Sequence, residues 1–108
     1  MVLEHVRGRW GMLILLALQP GPLRFFELRD TVGGISEKML SQNLRVLLRD
    51  GLIERSVEPV TPPRVSYALA PLGEELAVPL RALLDWIALR TKDVVAAQRR
   101  HDEAASRR

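Results

Sequence analysis

One amphipathic stretch near the middle of the chain limits the fold more than any other. Residues 35–50, ISEKMLSQNLRVLLRD, place an apolar residue every three or four positions, which is the period of a helix with one buried side. Ser36 is a favourable N-cap, and Asp50-Gly51 is a favourable end. The predicted apolar stripe consists of Leu40, Leu44, Leu47 and Leu48. The sequence therefore predicts a helix that packs along one side against a core.

The other side of this helix carries side chains that suit duplex DNA. At 100° per residue it collects Lys38, Ser41, Gln42, Arg45 and Arg49. Arginine and lysine can donate to guanine, glutamine can pair with adenine, and serine can contact phosphates or bases. A major groove is wide enough to admit one helix. An ordinary solvated helix face has a similar composition, so the neighbouring segments must separate the two interpretations.

The preceding segments predict two shorter helices. Trp10 to Leu18 is apolar and rich in helix-forming residues, and Gln19-Pro20-Gly21-Pro22 ends it. Phe26 to Val32 predicts a second helix that ends at Gly33-Gly34. A short helix, a glycine turn and an amphipathic helix follow in the order of a helix-turn-helix unit, although any small three-helix bundle shares that order.

A hairpin after the amphipathic helix favours the helix-turn-helix interpretation. Residues 52–57 and 64–69 each alternate apolar and polar side chains, as half-buried strands do. Residues 58–63, EPVTPP, join them. Proline has no N–H to donate to a central ladder, so we expect this tip to project from the sheet. A projecting hairpin beside a DNA-contacting helix is a wing.

The last part of the chain predicts a long helix with its own apolar stripe. Pro71 suits the first helical position, and the stripe steps through Leu72, Leu76, Leu80, Leu83 and Ile87. We expect a kink or a restart at Pro79. Because the first helix already closes a small winged domain, the extra stripe favours a homodimer, with packing inside one chain as the alternative. The predicted dimerisation residues are Leu76, Leu80, Leu83, Leu84, Trp86 and Ile87.

Composition limits the function classes. The 108 residues predict one domain, with a winged region at 1–70, a dimerisation region at 71–102 and a frayed tail at 103–108. A net charge of +3 is a weak pointer to a polyanionic partner.

The chain has no cysteine, no phosphate-binding glycine loop and no nucleophile beside a base, so we expect neither an enzyme nor a cofactor. His5 and His101 lack ligand spacing and are expected at the surface, without metal. No signal or membrane span is visible, and we expect a cytoplasmic protein without membrane contact.

Several long segments resemble the HxlR-type winged helix-turn-helix regulators of bacteria and archaea, relatives of the MarR-like group. The similar segments are GRWGMLIL at 8–15, GPLRFFELR at 21–29, GISEKMLSQNLRVLLRDGLIER at 34–55, PPRVSYALAPLG at 62–73, and Trp86. The resemblance implies a mainly α fold with a small β-hairpin wing and C-terminal dimerisation helices. It also implies a dimeric, DNA-binding transcription factor.

By position, the resemblance places Lys38, Ser41, Gln42 and Arg45 on DNA, with Arg24 on phosphate and Arg64 beside the wing. The full set of predicted DNA contacts is Arg24, Ser36, Lys38, Ser41, Gln42, Arg45, Arg49, Pro63 and Arg64. Many members carry an N-terminal cysteine, which some use to sense oxidants. This sequence has none, so thiol sensing does not carry over, and we expect the N-terminal part of the dimer interface to be shortened or absent.

Two functions therefore compete at this point. The first is sequence-specific binding of a palindromic operator in double-stranded DNA by a homodimeric regulator, with repression as the simplest outcome. The second is a winged-helix module that binds another protein. A protein-binding face should expose aromatic or aliphatic anchors, which the polar side of the 36–49 helix lacks, so DNA is favoured. A small-molecule effector pocket between the first helix and the dimerisation helices stays open.

Overall fold

The computed structural model describes residues 4–5 and 8–107. Within that part of the chain, four helices surround a small three-stranded sheet. The helices are α1 (Arg9–Leu18), α2 (Phe25–Val32), α3 (Glu37–Arg49) and α4 (Pro71–Ser106), and the strands are β1 (Leu23–Arg24), β2 (Ile53–Glu58) and β3 (Arg64–Leu69). The predicted fold class, a mainly helical winged helix-turn-helix, is confirmed.

The core lies around α1, as its apolar sequence predicts. This helix contacts α2, α3, α4 and β3, and none of its residues from Gly11 to Leu18 is exposed. The largest side chains with less than 2% exposure are Ile14, Leu15, Leu18, Leu28, Leu40 and Leu47. No polar or charged side chain of the described residues is buried. Burial of apolar surface therefore holds the three helices of the N-terminal half together.

Local signals set both ends of α3. The Ser36 hydroxyl accepts a hydrogen bond from the Met39 backbone N–H at 3.0 Å, which satisfies one of the free N–H groups of the first turn. Gly51 ends the helix with φ +74°, a conformation that costs little only for glycine. Arg29 of α2 donates to Glu37 Oε1 at 3.4 Å and links the two helices of the unit. The predicted boundaries and cap of this helix are confirmed.

The sheet is antiparallel, with β3 between β1 and β2. The β2–β3 register pairs Ile53 with Leu69 at the core end and Glu58 with Arg64 at the tip. All five residues between the strands, 59–63, are exposed. The predicted hairpin with a projecting, proline-rich tip is therefore confirmed.

Helix α4 begins in close contact with the α3–β2 connection. The Ala70 backbone N–H donates to the Leu52 carbonyl at 3.0 Å. A Cβ atom on Gly73 would lie 2.0 Å from the same carbonyl oxygen, so only glycine permits this approach. The helix then runs through Pro79 without a break, so of the two expected outcomes the restart is wrong and the kink stays a prediction. Proline lacks the backbone N–H that would complete the helix hydrogen bond at this position. Ala77 before the proline is buried in the core and Leu80 after it packs on the core, so tertiary packing stabilises the helix on both sides of Pro79.

Two further expectations differ from the structure. Helical backbone extends to Ser106, although the sequence predicts fraying from about Glu103. His5 is half-buried rather than a surface residue, because its Nδ1 lies 2.5 Å from Asp50 Oδ2. The Asp50 side chain is only 10% exposed. This contact ties the N-terminal segment to the C-terminal end of α3.

Candidate nucleic-acid interface

The predicted DNA-contacting face of α3 is exposed along its whole length. Lys38, Ser41, Gln42, Arg45 and Arg49 are all exposed, while the opposite stripe is buried at Leu40, Leu44 and Leu47 and half-buried at Leu48. The five polar residues fall within an arc of about 100° and span about 16 Å along the axis. Lys38, Arg45 and Arg49 form no ion pair within residues 4–5 and 8–107. Their positive charge is therefore directed to solvent.

Each flank of this face borders another element. On one side, Ser41 and Arg45 line a cleft of about 260 Å³ together with Arg55 and Tyr67 of the sheet. On the other side, Gln42 lines a cleft of about 210 Å³ with His5 and Gly8 of the N-terminal segment. The helix is thus held between the wing and the N-terminal segment with its polar face outward.

A second group of predicted contacts lies where α2 begins. Arg24 and Pro63 line one cleft of about 450 Å³, together with Phe25, Phe26, Glu27 and Val65. The Arg24 backbone N–H donates to Glu27 Oε1 at 2.8 Å, which caps α2, and the Arg24 side chain is exposed. Two residues that are 39 positions apart in sequence are therefore brought together, because β1 pairs with β3 through Arg24 and Ser66.

The remaining predicted DNA contacts lie at the margins of the exposed surface that α3, the start of α2 and the wing form. Arg64 is exposed at the first position of β3, opposite Glu58. Arg49 is the last residue of α3 and therefore the farthest from the helix N-terminus. Ser36 uses its oxygen as the N-cap acceptor, and its hydroxyl proton stays available to a phosphate. The structure thus distributes the predicted residues over the helix face, the start of α2 and the wing.

Two residues at this surface were missed from the sequence. Arg55 and Tyr67 are directly opposite each other in the β2–β3 register and reach the flank of α3. In the sequence, Arg55 lies between Ile53 and Val57 at the interval of a strand, but nothing there indicates that this strand face borders α3. The usable signal was the strand register, because it places Arg55 on the same sheet face as Ile53.

The predicted dimerisation residues separate into two groups. Leu76 and Leu80 pack against the chain's own core, and Leu84 is half-buried. Leu83, Trp86 and Ile87 are 50%, 56% and 47% exposed. From Asp85 to Arg107 every residue of the chain is exposed, and this stretch also carries Leu89, Val94 and Val95. The helix therefore projects an apolar surface away from the winged domain.

Other kinds of site find no support in the described residues. In residues 4–5 and 8–107, no group of three or more His, Cys, Asp or Glu side chains could hold a metal ion. No helix in the same part of the chain combines the length and apolar content needed to cross a bilayer.

Comparisons with known proteins identify the family. The model of the HxlR-like helix-turn-helix family matches residues 5–94. The HTH-type transcriptional regulator YtfH of Escherichia coli K12 is 50% identical over 105 residues, which cover 97% of this chain and 81% of that protein. The solved structure of ytfH from Salmonella typhimurium is 50% identical, with a TM-score of 0.81 over 91% of this chain and 88% of that one.

A third relative extends the comparison to a more distant sequence. The reduced form of the transcriptional regulator YodB from Bacillus subtilis is 35% identical, with a TM-score of 0.72 over 80% of this chain and 84% of that one. These relatives are regulators of transcription rather than enzymes. The chain belongs to the HxlR-like helix-turn-helix family of transcriptional regulators.

Proposed function

We propose that this chain represses transcription as a homodimer that binds a palindromic operator, with α3 in the major groove and the 59–63 tip against the neighbouring backbone. The observation that carries the proposal is the outer face of α3. It offers three cations, an amide and a hydroxyl within one arc, all exposed, while the other side of the same helix is fixed in the core. Donors on a rigidly held helix suit base edges and phosphates of a major groove.

The sheet and α2 support the same orientation. With α3 in a groove, Arg64 at the start of β3 and Arg24 at the start of α2 lie on one side of the helix-turn-helix unit, because β1 pairs with β3 through Arg24 and Ser66. Both side chains are exposed and suit backbone phosphates. The exposed half of α4 supports the dimer. Two copies of α3 can meet successive grooves, about 34 Å apart, only if a symmetric interface holds them. A dimer bound across an operator would block access to the promoter, so occlusion is the simplest mechanism of regulation for the proposed binding mode.

Arg45→Ala tests the proposed groove contact. We expect a loss of about 1–3 kcal/mol in binding and a weaker preference at one position of each half-site. The measurement is fluorescence anisotropy with a duplex selected by the wild-type protein and with single-base variants of it. Lys92→Ala is the matched control, because it removes one positive charge from α4, away from all three clefts of the interface. Equal binding by Arg45→Ala and wild type on every duplex would show that Arg45 makes no groove contact.

The competing function is a winged-helix module that binds another protein. The flank of α3 exposes one apolar side chain, Met39, at 39%. Protein interfaces rely on buried aromatic, methionine and arginine anchors, and one half-covered methionine does not provide such a cluster. Wild-type protein that binds duplex DNA only through salt-labile, sequence-independent contacts would favour this module over the regulator.

A further inference from the structure

The cleft between α3 and the wing has an unusual lining. Its floor is apolar, from Leu44 and Leu48, and its rims carry polar groups from two elements. Ser41 and Arg45 form the α3 rim, and Arg55 and Tyr67 form the sheet rim. The volume is about 260 Å³ and no carboxylate lines it.

Arg55 occupies a position where the strand pattern favours an apolar residue. Side chains of a strand alternate between faces, so Ile53, Arg55 and Val57 share one face of β2. Opposite them on β3 are Leu69, Tyr67 and Val65. The Ile53–Leu69 pair is buried in the core, and Tyr67 packs partly against it. The guanidinium of Arg55 therefore emerges beside α3 at the point where the core ends.

The cationic groups of this cleft have no anion within the described chain. Within residues 4–5 and 8–107, neither Arg45 nor Arg55 forms an ion pair, and the Tyr67 hydroxyl makes no hydrogen bond. Two guanidinium groups on one small cleft repel each other, and an anion bound at Arg55 offsets that repulsion. A guanidinium can donate two parallel hydrogen bonds to a phosphate, which strengthens the preference for that anion.

We infer that this cleft binds a phosphodiester of the DNA strand that passes between α3 and the wing, with Arg55 as the main donor and the Tyr67 and Ser41 hydroxyls beside it. The inference rests on the proposed function and adds a contact that orients α3 in the groove. Arg45 lies nearer the middle of the outer face and keeps its role at a base. Arg55 thereby contributes to the affinity and fixes the position of the protein along the DNA, without a preference for sequence.

Arg55→Gln tests this assignment, with Arg55→Lys as the variant that keeps the charge. The probe is a labelled duplex pool of mixed sequence, together with one duplex selected by the wild-type protein, titrated at several salt concentrations. For Arg55→Gln we expect binding about tenfold weaker on both probes, and a salt slope shallower by about 0.9 for each protomer bound. Arg55→Lys should recover the slope and most of the affinity, because the phosphate again meets a cation. Lys92→Gln, the control, should match wild type.

The outcomes separate the inference from the function it rests on. Unchanged affinity and slope for Arg55→Gln, with normal binding by wild type, would overturn the phosphate contact and leave the regulator intact. A loss confined to one base position would also overturn it, since Arg55 would then contact a base. No binding of either probe by wild type would instead count against the proposed function itself. Arg55 is exposed, so far-ultraviolet circular dichroism should show the Gln variant folded like wild type.

Discussion

Leu83→Glu should separate the proposed dimer into folded monomers. Leu83 is 50% exposed in the single chain and lies on the same side of α4 as Ile87 and Val94, beyond the part that packs on the core. Full burial of a leucine side chain is worth about 1.5–3 kcal/mol, so covering the exposed half contributes about 1 kcal/mol in each copy. Both copies of the dimer carry the substitution, so this contribution is lost twice.

The new carboxylate adds a second cost. Enclosing a polar group without a hydrogen-bond partner costs about 1–3 kcal/mol, again in both copies of a symmetric interface. Together with the lost apolar burial, the dimer should weaken by at least about 4 kcal/mol, which is roughly a thousandfold in the dissociation constant. The winged domain should keep its stability, because Leu83 is not part of the buried core.

Sedimentation velocity over a concentration series measures this change. The matched control is Lys92→Glu, which places the same new carboxylate on the same helix, at an exposed side chain that faces about 120° or more away from Leu83, Trp86 and Ile87. Wild type and the control should sediment as dimers, and Leu83→Glu as a monomer. A Leu83→Glu protein that dimerises as tightly as wild type would show that the interface does not include this stripe.

Three further substitutions test separate contacts. Arg64→Ala should weaken DNA binding with little change in preference and a salt slope shallower by about 0.9 per protomer, and an unchanged slope in anisotropy titrations would argue against a wing contact. Ser36→Ala removes the α3 N-cap bond from Met39, so urea unfolding should show a loss of about 1 kcal/mol, whereas an unchanged midpoint would mean that the cap contributes nothing. Gly73→Ala forces a Cβ against the Leu52 carbonyl and should cost about 1–3 kcal/mol in the same assay; a variant as stable as wild type would contradict the close approach.

The sequence predicts those features that local signals determine. The stripe, cap and glycine end of α3 all lie within 16 consecutive residues, and each has a known structural preference. The wing was predictable because alternation and prolines mark both strands and their tip. The exposed polar face of α3 followed directly from the buried stripe, so most of the candidate interface came from one periodicity.

The features that the sequence did not predict depend on contacts between distant residues. His5 meets Asp50 across 45 positions, and no local pattern indicates that pair. Pro79 does not break α4, because packing at Ala77 and Leu80 outweighs a local preference. Arg55 belongs to the interface through its register with Tyr67, which a single strand sequence does not provide. The position of the candidate interface on α3 therefore follows from the sequence of that helix. Which residues of other elements also belong to the interface depends on long-range packing.

Selection of bound duplexes from a random DNA pool measures whether the outer face of α3 recognises bases. Purified full-length protein should be used at physiological salt with competitor DNA, and the selected sequences compared between wild type and Arg45→Ala. We expect an enriched palindrome with half-sites about one helical turn apart, or a multiple of that, and a relaxed preference at one position per half-site for the variant. Wild-type protein that enriches no sequence, or a variant that selects the same palindrome with the same stringency, would contradict base recognition by α3.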